Sequence, residues 1–98
     1  MKYYTNKLQE FNRAFKVPVA GTLDNPCELR FKLMREENEE YIESAQIENV
    51  HDRKKEILDA VADQLYILAG TIIHHGLEDH IQEAFHVVHK SNMSKLNN

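Results

Sequence analysis

Apolar residues recur along this chain at steps of three and four, the period of a helix with one covered face. Tyr4, Leu8, Phe11 and Phe15 predict a first helix over about residues 3–15. Val17-Pro18 ends it, because proline disfavours helix both at its own position and at the one before. A loop then leads to Asn25-Pro26-Cys27-Glu28, a helix start with asparagine as cap, proline in the first turn and glutamate able to reach back. The second helix runs from there to about Gln46. Asn49 is a plausible cap for a third, which continues to His75 and stops at Gly76. A fourth begins near Glu78, with Ile81, Phe85 and Val88 as its apolar edge, and helical periodicity is lost after Lys90. No stretch alternates as a strand does, so the pattern predicts an all-α, antiparallel bundle of about four helices.

The third helix is apolar on most sides yet carries Glu56, Asp59 and Asp63. At 100° per residue these acids fall within an arc of roughly 60°. Tyr66, Ile67, Gly70 and Ile73 share that face. On the second helix Glu37 lies between Leu33 and Tyr41, and Glu40 between Leu29 and Leu33, with Glu36 at the edge of the same arc. Glu39 and Glu43 turn instead toward Lys32, Arg35 and Gln46, the side expected to face solvent. Two helices are thus expected to turn carboxylates inward toward one another. Desolvating an ionised carboxylate costs several kcal/mol even after relaxation, so a compensating cation is required, and Mg²⁺ or Mn²⁺ suits so many oxygens. The plainer readings are a solvated acidic face, or an inward Asp63 paired with Lys54, Lys55 or an arginine of another subunit.

Ninety-eight residues read as one domain, residues 1–98, with 91–98 as a tail. A net charge of -4 with no long basic stripe argues against a dedicated nucleic-acid binder. The single cysteine, Cys27, permits no internal disulfide and is expected to pack as a small apolar residue. The chain opens without a signal-peptide pattern, which makes a cytoplasmic location the expectation. Asp63 and Gln64 interrupt the apolar run from Val61 to Ile73, so no membrane span is expected. A third helix apolar nearly all round is more than a lone chain this small covers easily, which predicts a homodimer or homotetramer. His74, His75, His86 and His89 have no evident cysteine or acidic co-ligand, and the first two suit a helix C-terminus better than zinc. Neither a Ser-His-Asp arrangement nor a glycine-rich phosphate loop is present.

Glu36-Glu37-x-x-Glu40 followed by Glu56-x-x-Asp59 resembles the EExxE…ExxD signature of the all-α nucleoside triphosphate pyrophosphohydrolases. This MazG-like superfamily also includes phosphoribosyl-ATP pyrophosphohydrolase and the dimeric dUTPases. Asp59-Ala60-Val61-Ala62-Asp63-x-x-Tyr66 with Gly70, and Val88-His89-x-Ser91-Asn92-Met93-Ser94-Lys95, are similar to a small, often dimeric branch of it. The resemblance covers nearly the whole chain. It implies Mg²⁺-dependent hydrolysis of a nucleotide between the α and β phosphates, giving a monophosphate and pyrophosphate. By the same resemblance Glu37, Glu40, Glu56 and Asp59 hold the metal, and Asp63 is an auxiliary ligand. Glu36 and Glu37 are the catalytic candidates, Glu36 binding a further metal or orienting the attacking water. Ser91, Asn92, Ser94 and Lys95 match a segment that folds near the site, where Lys95 neutralises a phosphate and Asn92 hydrogen-bonds one. Lys54 is a further candidate contact to the substrate.

A nucleobase needs a flat apolar surface and a polar reader, and Phe11, Asn12 and Phe15 are the candidates, although the two phenylalanines equally suit a core. The substrate alternatives are a nucleoside triphosphate and phosphoribosyl-ATP. A helical interaction module that binds metal without efficient catalysis is the rival class.

Overall fold

The computed structural model describes residues 2–17 and 27–97. Among them four α-helices follow in order, α1 (Lys2–Ala14), α2 (Cys27–Ala45), α3 (Val50–His74) and α4 (Ile81–Ser94), and a 3₁₀ turn (Lys95–Asn97) closes the chain. The described residues contain no strand, and the all-α architecture expected from the periodicity is the one observed. Pro18, Asn25 and Pro26, which carry the predicted stop and start signals around the first loop, lie outside the described residues.

α3 is the central rod. Both α1 and α2 pack against it, and small buried residues, Ala60, Ala69 and Gly70, let its neighbours approach closely. Leu8 of α1 joins Ala69 and Ile73 in the core, and Ile72 is buried as well. α2 and α3 form a tight hairpin. Arg53 donates to the carbonyl of Ile47, Gln64 to Asn38 and Arg30 to Ile67, so the contacts climb one helix as they descend the other.

Local signals account for the ends of α3. The Asn49 Oδ1 accepts the Asp52 backbone N–H at 3.0 Å, the cap expected there, an interaction whose loss typically costs about 1 kcal/mol. Gly76 has φ 68°, and the N–H groups of Gly76 and Leu77 return to the carbonyls of Ile73 and Ile72, a Schellman ending that favours glycine at this position. The end of α1 has the same pattern with the wrong residue. Lys16 adopts φ 56° while Lys16 and Val17 donate back to Arg13 and Asn12.

Two boundaries differ from the sequence reading. α4 begins at Ile81 rather than near Glu78, because the Leu77 carbonyl accepts from both His80 and Ile81 and holds residues 78–80 in a turn. Helix also persists beyond Lys90 to Ser94. Residues 91–95 carry a single apolar side chain, Met93, so the hydrophobic pattern fades where the backbone ladder does not.

The arrangement is open. Its radius of gyration is 16.0 Å, where a compact domain of about 100 residues has about 13 Å. The chain exposes 7967 Å², where a compact 11.5 kDa monomer exposes about 5,800 Å². α4 has no substantial packing against α1, α2 or α3, and its Phe85, Val87 and Val88 are exposed, as are Leu58, Val61 and Leu68 of α3. By length and composition alone α3 is apolar enough to cross a membrane. It is equally the helix on which the others pack, and it carries Asp59 and Asp63, costly groups in hydrocarbon.

Candidate functional site

Seven-residue steps place Arg30, Leu33, Glu37, Glu40 and Ser44 on one stripe of α2, and all but Glu40 are at least half-buried. Across the seam α3 sets Asp63, Ile67, Gly70 and His74. Carboxylate oxygens of Glu37, Glu40 and Asp63 lie within 4.8 Å of one another. A shallow cavity of about 290 Å³ continues from there along the seam, lined by Glu40, Glu43, Ser44, Ile47, Glu56, Asp59, Ala60 and Asp63. The structure thus gathers Glu37, Glu40, Glu56, Asp59 and Asp63 along one groove. Glu36 is exposed beside it.

The expectation that these acids are buried is corrected. Glu40, Glu56, Asp59 and Asp63 are exposed, and Glu37 is half-buried. The groove between α2 and α3 opens to water, which lets ionised carboxylates keep their hydration and avoids the desolvation cost that motivated the expectation. Nor does Asp63 form an ion pair with Lys54, Lys55 or any arginine among the described residues. Glu39 does turn outward, as predicted, and pairs with Arg35 at 3.1 Å. Glu43 is exposed as well, and it also borders the open acidic cavity.

Glu37 is where the cluster is strained. Its Oε2 is shielded from solvent and has no hydrogen-bond partner. Burial, the hydrogen-bonding contact and charge of Glu40, and the charges of Asp63 and Glu36 together raise its pKa above the ordinary carboxylate value. Among the described residues no cationic side chain pairs with Glu37 to offset this. An orphaned carboxylate oxygen within reach of two more carboxylates, all hard oxygen donors, fits a divalent cation such as Mg²⁺ or Mn²⁺. Beside the cluster Gln64 Nε2 donates to Asn38 Oδ1 at 2.7 Å, a neutral clamp that fixes the two helices in register.

A second polar feature lies two turns along the same seam, and the sequence reading missed its principal residue. Arg30 Nε donates to Thr71 Oγ1 at 3.1 Å, Arg30 Nη2 donates to the Ile67 carbonyl at 2.9 Å, and the Thr71 hydroxyl donates to that same carbonyl at 2.9 Å. Gly70 makes room for this. A Cβ there would lie 2.7 Å from Arg30 Nη2. Arg30 also lines a cavity of about 260 Å³ with Leu8, Phe11, Asn12, Leu33, Tyr66 and His74. The His74 Nε2 is buried without a partner, and burial, then the charges of His75 and Arg30, lower its pKa. Arg30 sits seven residues before Glu37 on one helical stripe, but only Gly70 and Thr71 placed across the seam distinguish it from a surface cation.

The remaining candidates divide. Asn12 and Phe11 line this inner cavity, and Phe11 meets Tyr66 edge-on at 5.9 Å. Phe15 stacks on Phe11 at 4.5 Å but is exposed, lining an outer apolar groove of about 530 Å³ between α1 and α3, so the core alternative fails for it. Lys54 is exposed and belongs to neither cavity. Asn92 and Lys95 lie at the far end of α4, where Lys95 Nζ donates to Asn92 Oδ1 at 3.3 Å, and neither lines the acidic groove.

These features define an all-α protein whose paired helices present an oxygen cluster able to hold a metal ion. The chain belongs to the phosphoribosyl-ATP pyrophosphohydrolase family, part of the MazG-like superfamily, whose family model matches residues 2–92. It is therefore a nucleotide pyrophosphohydrolase, a hydrolase acting on acid anhydrides. Neither the curated proteins nor the solved structures contain a match.

Proposed function

We propose that the chain hydrolyses the α–β phosphoanhydride of a nucleoside triphosphate, releasing a monophosphate and pyrophosphate, with Mg²⁺ as cofactor and Mn²⁺ as a substitute. The observation that carries this reading is the convergence of Glu37, Glu40 and Asp63 within 4.8 Å around an unpartnered Glu37 oxygen. Glu37, Glu40, Asp63 and, along the groove, Glu56 and Asp59 would hold the metal. When bound, Mg²⁺ supplies positive charge against the phosphate oxygens and lowers the pKa of water.

The chain's own residues do the rest. Water adds to one phosphorus of the anhydride, the bond to the bridging oxygen breaks, and the water proton passes to a carboxylate. A carboxylate not committed to the metal suits that transfer, and Glu36, exposed beside Glu37, is placed to orient the attacking water and take its proton. The inner cavity holding Asn12 and Phe11 receives the base, and Phe15 extends the wall outward. A second copy of the chain covers the exposed edge of α4 and the outer side of α3, giving a homodimer or homotetramer. The excess exposed surface, about 2,000 Å² per chain, is what an obligate interface buries. Lys54, Asn92 and Lys95 would then meet phosphates only within that assembly.

Phosphoribosyl-ATP is the second reading, favoured by the description of the matching family. A panel of dNTPs, NTPs and phosphoribosyl-ATP with Mg²⁺, resolved by chromatography, decides between them. Monophosphate and pyrophosphate from a triphosphate support the proposal. Orthophosphate as first product sinks it, and absence of turnover leaves the metal-binding interaction module.

A further inference from the structure

Arg30 is a half-buried cation with no anionic partner among the described residues. Its hydrogen bonds go to a hydroxyl and a backbone carbonyl, both neutral acceptors. Two of its five N–H groups are spoken for, and the side chain borders a cavity whose other walls are mostly apolar. In the same cavity the His74 Nε2 is buried without a partner. Arg30, Asn12 and His74, whose ring nitrogen is unpartnered, thus border one space together with Phe11 and Tyr66. The space, about 260 Å³, admits a flat heterocycle.

The direction of entry follows from the helix. Arg30 precedes Glu37 by seven residues, about 10 Å along α2. A nucleotide whose phosphates lie at the acids enters with its sugar toward Glu37 and the far edge of its base toward Arg30. That edge carries the substituent on C4 of a pyrimidine or C6 of a purine. Arginine donates only, so an oxo group there is matched and an exocyclic amino group opposes donor to donor.

We infer that Arg30 is a specificity-determining residue, selecting nucleotides whose base carries an oxo group at that edge (uracil, thymine or guanine) over cytosine and adenine. This rests on the pyrophosphohydrolase reading for the orientation of the nucleotide. Gly70 is its companion, since only a residue without Cβ leaves the guanidinium where it is.

The test uses the full chain and four nucleosides without phosphate or metal, followed by NMR titration. Wild type binds uridine or guanosine about tenfold more tightly than cytidine and adenosine. Arg30→Gln erases the preference, and Gly70→Ala, which moves the guanidinium without removing it, reduces it. Whichever oxo-nucleoside wins assigns the pocket to a pyrimidine or a purine. Equal binding of all four by wild type overturns the inference, as does equal weakening of all four by Arg30→Gln. Inorganic phosphate competing with the nucleosides in wild type but not in Arg30→Gln also overturns it, making the cavity an anion site. Binding of Mn²⁺ alone, read by electron paramagnetic resonance, is measured in parallel. Failure of wild type to bind Mn²⁺ undermines the enzymatic reading and leaves the nucleoside result to judge Arg30 separately.

Discussion

The carboxylates of Glu37 and Asp63 meet across the seam between α2 and α3, with Glu40 completing a triangle in which no two ligand oxygens are more than 4.8 Å apart. Like charges so placed repel unless something positive lies between them. Asp59 extends the same groove one turn from Asp63. Asp59→Asn is expected to lower turnover by about a hundredfold or more while leaving the helical circular dichroism spectrum intact. Undiminished activity in that variant removes Asp59 from the site.

The raised pKa of Glu37 sets a pH dependence for the metal-free protein. A carboxyl whose folded pKa exceeds its unfolded value contributes stability below the unfolded pKa, and the contribution is lost as pH rises through the folded one. The metal-free chain therefore carries this strain at neutral pH and sheds it on acidification. Adding Mg²⁺ at neutral pH should raise the melting temperature, and Glu37→Gln should raise it without metal. Thermal melts of both proteins across the carboxylate range check the sign.

His74 acts in the opposite sense. Its folded pKa lies below the ordinary histidine value, so its contribution is present above the unfolded pKa, near 6.5, and is lost as pH falls through the folded one. Replacing His74 by Gln should flatten the decline in stability just below pH 6.5. An unchanged profile would mean that the buried imidazole is not what titrates.

Lys16 holds a left-handed backbone at the end of α1. Glycine adopts this conformation without the Cβ clash, at some entropic cost in the unfolded chain. Lys16→Gly is expected to raise the free energy of unfolding by about 0.5–1 kcal/mol in urea titrations. It touches neither cavity, so activity should not change.

Phe85 is exposed on a helix that has no substantial packing against the other described helices. Light scattering at micromolar concentration should give a dimer or tetramer, and Phe85→Glu should shift it toward monomer. A wild-type monomer at that concentration would count against association.

The helices and most of the acids were legible because both leave periodic traces. Asn49 caps through its own side chain and Gly76 turns through its own backbone, both local signals, and Glu37, Glu40 and Asp63 share faces that a wheel reveals. What escaped depends on distances between segments. Arg30 reads as an ordinary surface cation until Gly70 and Thr71 are placed opposite it. The exposure of Asp59 and Glu56 was invisible for a related reason, since a wheel shows which residues share a side but not whether anything covers it. The start of α4 was misplaced because one carbonyl, that of Leu77, serves two donors, a local economy that no hydrophobic pattern records.

Four residues, 46–49, join α2 to α3, and the Asn49 cap locks the second rod as soon as the first ends. Both acid rows consequently lie on one uninterrupted piece of chain, from Cys27 to His74, as facing teeth of a single zipper. Slipping that zipper by one residue would require the connection itself to be rebuilt, so the spacing of the oxygens is inherited from the shortness of a turn.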